Sequence, residues 1–491
     1  MSSSSESRSL VGPRPGEGQL IWVIWLTYGA FYFCRTNLSA AVPGIEAELG
    51  YSKAMMGQVL FALKCGYALG QLINGQMAER CSPRKMLTVG MFASAALNVI
   101  FGFGTGLYFF IFVWAMNGYS QSLGWTPCVR VIGNWIPVAR RGKAIGVIGT
   151  GYQLTAGLTF VISGTAVWLF DWRAALFVPP VLLVASAIVM LLFLKEEPVS
   201  ETTAQQDKTR RRATGGVLEN FRLTLTNPAL WILAITLGLL NACRYGFIDW
   251  GISHLHDLEQ SSTIQAEIAQ KLAEKSLSPE DRRLLEPLQS SDVSTLAGRR
   301  RVSQAVEAGA LTRVETSRSS ILKSAIKYAV LPLGAILGSF LAGWTTDRFF
   351  GNRRAPVICG LLLVLAALAL CYDSVARVSF VGTMVLLCGV GFCVYGPQVL
   401  LVGTAPADLA RQGTAAAAAG FVNFIGYVGA ACGDILTGQL ADSHGWQFAI
   451  RVWAGWAFAA ALLIATLWNV RSSDVGEKQE PGPKPENDER D

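Results

Sequence analysis

Two arginines lie inside otherwise apolar stretches. Arg35 sits in YGAFYFCRTNLSAAVP and Arg244 in NACRYGFIDWG. An ionisable side chain within an apolar span is costly and marks a candidate functional position. A guanidinium is a planar fork that binds phosphate through two parallel hydrogen bonds. Two guanidiniums facing one cavity repel unless an anion lies between them, so the pair reads as a clamp for a phosphoryl group. In the competing reading, each arginine pairs with a nearby acid or snorkels outward. Asp249 is a candidate partner for Arg244, whereas Arg35 meets no acid in its own run before Glu46.

Lys64 is a third charge, in LFALKCGYALGQ, and lies ~16 Å along a helix from Gly75. Two readings stand for it: it adds positive field to the cavity, or it leans toward the outer interface. Asp434 has the chemistry to carry a coupling proton, but its place in the sequence predicts a solvated position near an outer helix end. Tyr28, Tyr32, Tyr152, Gln153, Tyr245, Tyr395, Gln398 and Asn423 are polar positions that either hydrogen-bond a ligand or link helices. His254 and His256 are expected in a solvated outer loop. The ten cysteines lack paired metal spacing and there are only three histidines, so no metal site is expected.

The elements that position these groups are long apolar runs. A helix needs ~20 apolar residues to cross the ~30 Å hydrocarbon core. Twelve runs qualify: 20–42, 56–76, 86–106, 108–129, 144–168, 174–194, 228–252, 322–344, 355–372, 379–402, 414–440 and 447–469. The composition agrees. Of 491 residues 52% are hydrophobic and 15% charged, against about 25% charged in soluble proteins. The net charge of +7 is confined to short blocks between runs, so no continuous basic face for nucleic acid is available.

Lysine and arginine set the orientation. Arg80, Arg84 and Lys85 follow the second run. Arg130, Arg140, Arg141 and Lys143 follow the fourth. Lys208 and Arg210–Arg212 lie between the sixth and seventh, and Arg348, Arg353 and Arg354 follow the eighth. The even-numbered loops and both termini are thus expected in the cytoplasm. The sequence divides into a disordered tail (1–19), a six-helix bundle (20–195), a cytoplasmic linker (196–226), a second six-helix bundle (227–470) and a disordered tail (471–491). An external insertion (254–320) interrupts the second bundle, and its basic residues do not oppose this orientation because long loops cross regardless of charge.

The halves repeat at a nearly constant offset. GQMAER (Gly75, Glu79, Arg80) matches GWTTDR (Gly343, Asp347, Arg348), Gly124–Pro127 matches Val394–Pro397, and Asp171–Trp172 matches Gly445–Trp446. Parallel repeats of six helices describe a major facilitator transporter. In the repeated loops the glycine is expected to let helices approach, and the acid and arginine to cap a helix or pair across the bundle as a gate. The runs at 144–168 and 414–440 are rich in glycine and alanine, as closely packed helices require.

YGAFYFCRTNLSAAVP, GWTPCVRVIGNW, CRYGFIDW, DRFFGNRRAP and VYGPQVLLVGTAP with GTAAAAAGFVNFIGY together resemble the organophosphate:phosphate antiporter family. The resemblance covers nearly all of residues 20–470 except the insertion. It implies exchange of an organic phosphate ester for inorganic phosphate by alternating access. Arg35 and Arg244 match the family's phosphate-binding arginines. Three departures stand out. Thr36 replaces a lysine, Tyr152 falls where a family member has histidine, and Gly124-Trp125-Thr126-Pro127 replaces a GWPP pattern. Lys64 partly restores the lost charge.

In the insertion, Ser278-Pro279 with Asp281 carries a helix-start signal. A small helical module or a partly disordered loop is expected there.

The expected product is a monomeric, multi-pass protein of the inner membrane. It is not an enzyme and needs no cofactor. Its ligands are a phosphate ester resembling glycerol 3-phosphate or a sugar phosphate, and inorganic phosphate. Two alternatives share the architecture: a membrane sensor of a phosphate ester, and a proton-coupled transporter of another organic anion.

Overall fold

The computed structural model describes residues 15–77, 81–196, 222–274, 277–312, 317–351, 353–409 and 415–470. Residues 1–14 of the expected N-terminal tail, the expected C-terminal tail, most of the expected linker, and Glu79 and Arg80 of the first repeated loop lie outside the described residues. Residues 17–19, expected in the disordered tail, instead open the first helix, whose apolar run they extend toward the N-terminus.

Everything regular among the described residues is helical. The first half contains α1 (Glu17–Ala30), a 3-10 turn (Phe31–Cys34), α2 (Leu38–Leu49), α3 (Lys53–Met77), α4 (Pro83–Gly102), α5 (Leu107–Gln121), α6 (Trp125–Trp135), α7 (Val138–Leu169) and α8 (Ala174–Phe193). The second half opens with α9 (Pro228–Ala273), followed by α10 (Pro279–Gln289), α11 (Leu296–Glu307), α12 (Arg318–Tyr328) and α13 (Leu331–Phe349). It continues with α14 (Arg354–Val378), α15 (Phe380–Val399), a π turn (Leu400–Thr404), α16 (Ala405–Leu409), α17 (Ala415–His444) and α18 (Trp446–Ala465).

Nine of the apolar helices among the described residues are long and apolar enough to cross a membrane. The first, second and fourth runs fall short for local reasons. The first breaks between Cys34 and Leu38, and the fourth breaks between Gln121 and Trp125. The second, α3, is long enough but too polar. The break at Arg35 frees backbone carbonyls, which must be satisfied inside a membrane. Buried amides do this: Asn98 and Asn117 donate to the Cys34 carbonyl at 3.3 and 2.9 Å, and Gln121 donates to the Phe31 carbonyl at 3.0 Å.

The two halves use the same close contact. α3 packs on α5 where a Cβ on Gly118 would lie 2.0 Å from the Leu63 carbonyl. α13 packs on α15 where a Cβ on Gly391 would lie 2.0 Å from the Leu331 carbonyl. Only glycine permits such backbone approach. Gly343, expected to serve the same purpose, faces open space. Its loop partner Asp347 does not cross to the other half. It pairs with Arg354 at 2.8 Å, which also reaches Asp408 at 3.2 Å. Arg348 is exposed, and Gly75 lies in the last turn of α3.

The insertion begins as a continuation of α9, which runs 46 residues without a break. Its helices close over a small core that includes Ile268, Leu285, Leu288 and Ala305. Ser278 caps α10 by accepting from the Asp281 N–H at 3.0 Å, the expected helix start. His254 and His256 are buried, contrary to the expected solvated loop. Because α9 stays helical past residue 252, it carries His254 into the bundle. There it contacts Tyr372 at 3.2 Å and Asp373 at 3.0 Å.

At this end the halves are joined by charge. Lys53, on α3, is fully buried between Glu46 at 2.8 Å and Asp257 at 2.7 Å. Arg299, from α11, bonds Glu46 at 3.3 Å and also Asp442. The Ala54 N–H donates to Asp442 at 2.8 Å.

Candidate anion-binding site

A cavity between the halves is lined by Arg35, Thr36, Tyr32 and Lys64 of the first half and by Arg244, Tyr245, Asp249 and Tyr395 of the second. Apolar walls come from residues such as Leu60, Trp114, Phe160 and Ile248.

Arg35 projects from the broken backbone after the 3-10 turn and is 6% exposed. Its Nε donates to Gln121 Oε1 at 3.2 Å and its Nη1 to the Tyr32 hydroxyl at 3.3 Å. The guanidinium lies over the rings of Tyr32 and Tyr67, 4.7 and 4.5 Å from their centroids. Nη2 is buried without a hydrogen-bond partner.

Arg244, in α9, is 3% exposed. Its Nη2 donates to the Tyr395 hydroxyl at 3.0 Å. The guanidinium lies over Tyr245 and Tyr395, 4.8 and 4.7 Å from their centroids. Nε is buried without a partner. Among the described residues neither arginine is paired with a carboxylate. Aromatic faces and neutral oxygens hold the cations in place without neutralising them. A buried charge left in this state costs several kcal/mol, and each arginine keeps a buried N–H free for an acceptor.

Asp249 is therefore not the partner of Arg244. It accepts a hydrogen bond from Lys64, whose ammonium also contacts Asp434 at 2.5 Å. Lys64 is 2% exposed and lies 4.5 Å from the Tyr245 ring centroid. It borders the cavity, but its field there is offset by two acids. Asp434 is 0% exposed, which corrects the expected solvated position. The reason is that α17 packs along α3 and α9, which present Lys64 and Asp249 to it.

The remaining polar candidates divide. Tyr28 and Tyr152 form an aromatic cluster beside the cavity. Tyr152 lies 5.7 Å from Tyr28, 4.9 Å from Tyr32 and 6.5 Å from Tyr395 between ring centroids. Gln153 links the halves by donating to Ser339 Oγ at 3.2 Å. Gln398 keeps a buried oxygen without a hydrogen bond. Asn423 is half-buried on α17 and is not brought to the cavity. Sequence reasoning missed Gln121 and Tyr67. Gln121 had a signal, one of two amides, with Asn117, in an otherwise largely apolar run. Tyr67 had a weaker one, its place one helical turn after Lys64. Among the described residues no cluster has the composition of a metal site.

The chain as a whole is similar to several known proteins. A Probable hexose phosphate transport protein of Chlamydia trachomatis is 25% identical over 93% of this chain and 92% of its own length. A Glycerol-3-phosphate transporter of Bacillus subtilis is 26% identical over 91% of each chain. A membrane sensor protein of Escherichia coli is 24% identical over 92% of each. The fold matches that of a bacterial homolog to the human lysosomal transporter Spinster, in an inward-facing and occupied conformation. That match has a TM-score of 0.64 at 14% identity and covers 96% of this chain and 100% of the other. The model of the Major Facilitator Superfamily matches residues 24–267 and 319–489, and the chain belongs to that family of multi-pass membrane proteins.

Proposed function

We propose that the chain exchanges an organic phosphate ester for inorganic phosphate by alternating access, as a monomer in the inner membrane with both termini cytoplasmic. The observation that carries this reading is the pair Arg35 and Arg244. They come from opposite halves, both are buried, neither is paired with a carboxylate among the described residues, and both line one cavity. A phosphoryl group carries about −1.5 to −2 charge and three strong acceptor oxygens. Placed between the guanidiniums, it would accept from Arg35 Nη2 and Arg244 Nε and cancel their repulsion. Hydrogen bonds to charged groups contribute about 1.5–3 kcal/mol each. Both inorganic phosphate and its esters present this group, so either would lower the cost of closing the halves around it. The empty carrier would rock slowly, which favours exchange over net flux. Tyr28, Tyr32, Tyr152, Tyr245 and Tyr395 would recognise the organic part. The names of the Chlamydia and Bacillus relatives support a phosphate ester as substrate.

The test is uptake of labelled phosphate into liposomes loaded with inorganic phosphate. Uptake should need internal phosphate and be inhibited by glycerol 3-phosphate or hexose 6-phosphate outside. Ester binding without any flux would instead support a sensor, the reading favoured by the likeness to the Escherichia coli protein.

A further inference from the structure

A second set of charges adjoins the arginines: Lys64 and Asp249 line the cavity, and Asp434 reaches it through Lys64. Lys64 carries one positive charge and touches two carboxylates, Asp249 and Asp434. All three are nine-tenths or more buried. The carboxylates are not equivalent. Asp249 accepts the hydrogen bond from the Lys64 ammonium. Asp434 has ionic contact with the same ammonium, but neither of its oxygens has a hydrogen bond in good geometry. The set thus carries one buried negative charge more than its ammonium can match, and Asp434 is the carboxylate that bears it.

Among the described residues no second cation faces Asp434. Facing Asp434 are Lys64 from α3 and Asp249 from α9, with the Trp250 indole beside it. α18 presents Trp453, whose N–H is taken by Thr437. α11 reaches α17 about two turns away, where Arg299 binds Asp442. α16 brings Asp408 toward Arg354 instead.

Counting the buried charges in and beside the cavity gives the consequence. Arg35, Arg244 and Lys64 are positive, and Asp249 and Asp434 are negative. A phosphoryl dianion between the arginines leaves one net negative charge buried among these groups, and one proton restores neutrality.

We infer that Asp434 is a proton-binding site coupled to the phosphoryl site, so that the ester and one proton move together. This rests on the exchange reading above. As the dianion binds, an O–H bond forms on the Asp434 carboxylate with a proton taken from water. It breaks, returning the proton to water, when the ester leaves on the other side. By linkage, a proton that strengthens ester binding is itself held more tightly when the ester is bound. A triad that only staples the halves together would show no such linkage.

The test is calorimetric titration of the purified full chain with glycerol 3-phosphate at several pH values above the ester's second pKa of about 6. Coupling predicts affinity that weakens by up to about tenfold per pH unit. It also predicts one proton taken up by the protein per ester bound, read from buffers of different ionisation heat. Asp434→Asn should bind independently of pH without proton uptake, and Asp434→Glu should keep both signals. Wild-type binding that is independent of pH and takes up no proton overturns this inference alone, and that arm needs no variant to fold. An Asn variant that still takes up the proton also overturns it. Failure of both glycerol 3-phosphate and inorganic phosphate to bind at any pH overturns the exchange reading, and this inference with it.

Discussion

Arg35 and Arg244 hold matching environments in the two halves of the chain: each guanidinium lies over two tyrosine rings and donates to a tyrosine hydroxyl. Arg35 has Tyr32 and Tyr67, and Arg244 has Tyr245 and Tyr395. In both, the tyrosines fix the cation's position and leave its charge uncompensated. That is what a site for a mobile anion requires.

These supports should matter for affinity. Tyr395→Phe keeps the ring under Arg244 and removes the 3.0 Å hydrogen bond. Gln121→Leu removes the acceptor for Arg35 Nε. Each is expected to weaken phosphate binding about tenfold, the effect of losing one hydrogen bond to a charged group. Binding isotherms on the purified variants check this, with unchanged melting temperature as the control for folding.

The Lys64 triad predicts an asymmetry in stability. Lys64→Ala strips the ammonium from two buried carboxylates and should cost about 3–5 kcal/mol. Asp249→Asn removes the acceptor of the Lys64 hydrogen bond and should be clearly destabilising. Asp434→Asn removes the surplus charge and should be nearly neutral or stabilising. Thermal melts of the three variants in one detergent would show the order; equal losses at Asp249 and Asp434 would contradict it.

At the insertion end, Arg299 joins Glu46 of the first half to Asp442 of the second. A double-mutant cycle on Arg299→Ala and Asp442→Ala should give a coupling of about 0.5–3 kcal/mol. Additive effects would mean that α11 sits on this surface without holding it closed.

Glu48 ties α2 to Trp172 and Arg173, the residues just before α8. Its slight burial raises its pKa. Hydrogen bonds from Trp172 at 2.7 Å and Arg173 at 2.8 Å outweigh this and hold the carboxyl below its usual range. A depressed folded pKa stabilises above the unfolded value of about 4.3 and loses that stabilisation as pH falls through the folded value. Glu48→Gln should therefore lower the melting temperature at about pH 7, and the difference from wild type should shrink progressively as the pH falls below about 4.3.

Much of this was legible before any coordinates. Twelve apolar runs and repeated loop motifs led to the superfamily fold, because hydropathy and internal symmetry are written locally in the chain. Arg35 and Arg244 stood out for the same reason, as charges where apolar residues surround them in sequence. The partners of Asp249 and Asp434 were not legible. Their pairing depends on α17 lying against both α3 and α9, a tertiary contact with no local signature. His254 was misplaced because α9 runs past the end of its apolar stretch, and hydropathy cannot tell a helix that continues from a loop that begins. Gly343 was misread because a glycine's type reveals freedom to approach but not whether a neighbour is there.

The central claim is that Arg35 and Arg244 grip one and the same phosphoryl group. It is tested most directly by measuring inorganic phosphate affinity in the wild type, Arg35→Lys, Arg244→Lys and the double variant. Lysine keeps the charge but lacks the fork. The account predicts that each single change abolishes most of the affinity and that the double variant is little worse than either, because one bound anion needs both forks. Two independent losses that simply add, or singles that bind like the wild type, would contradict it.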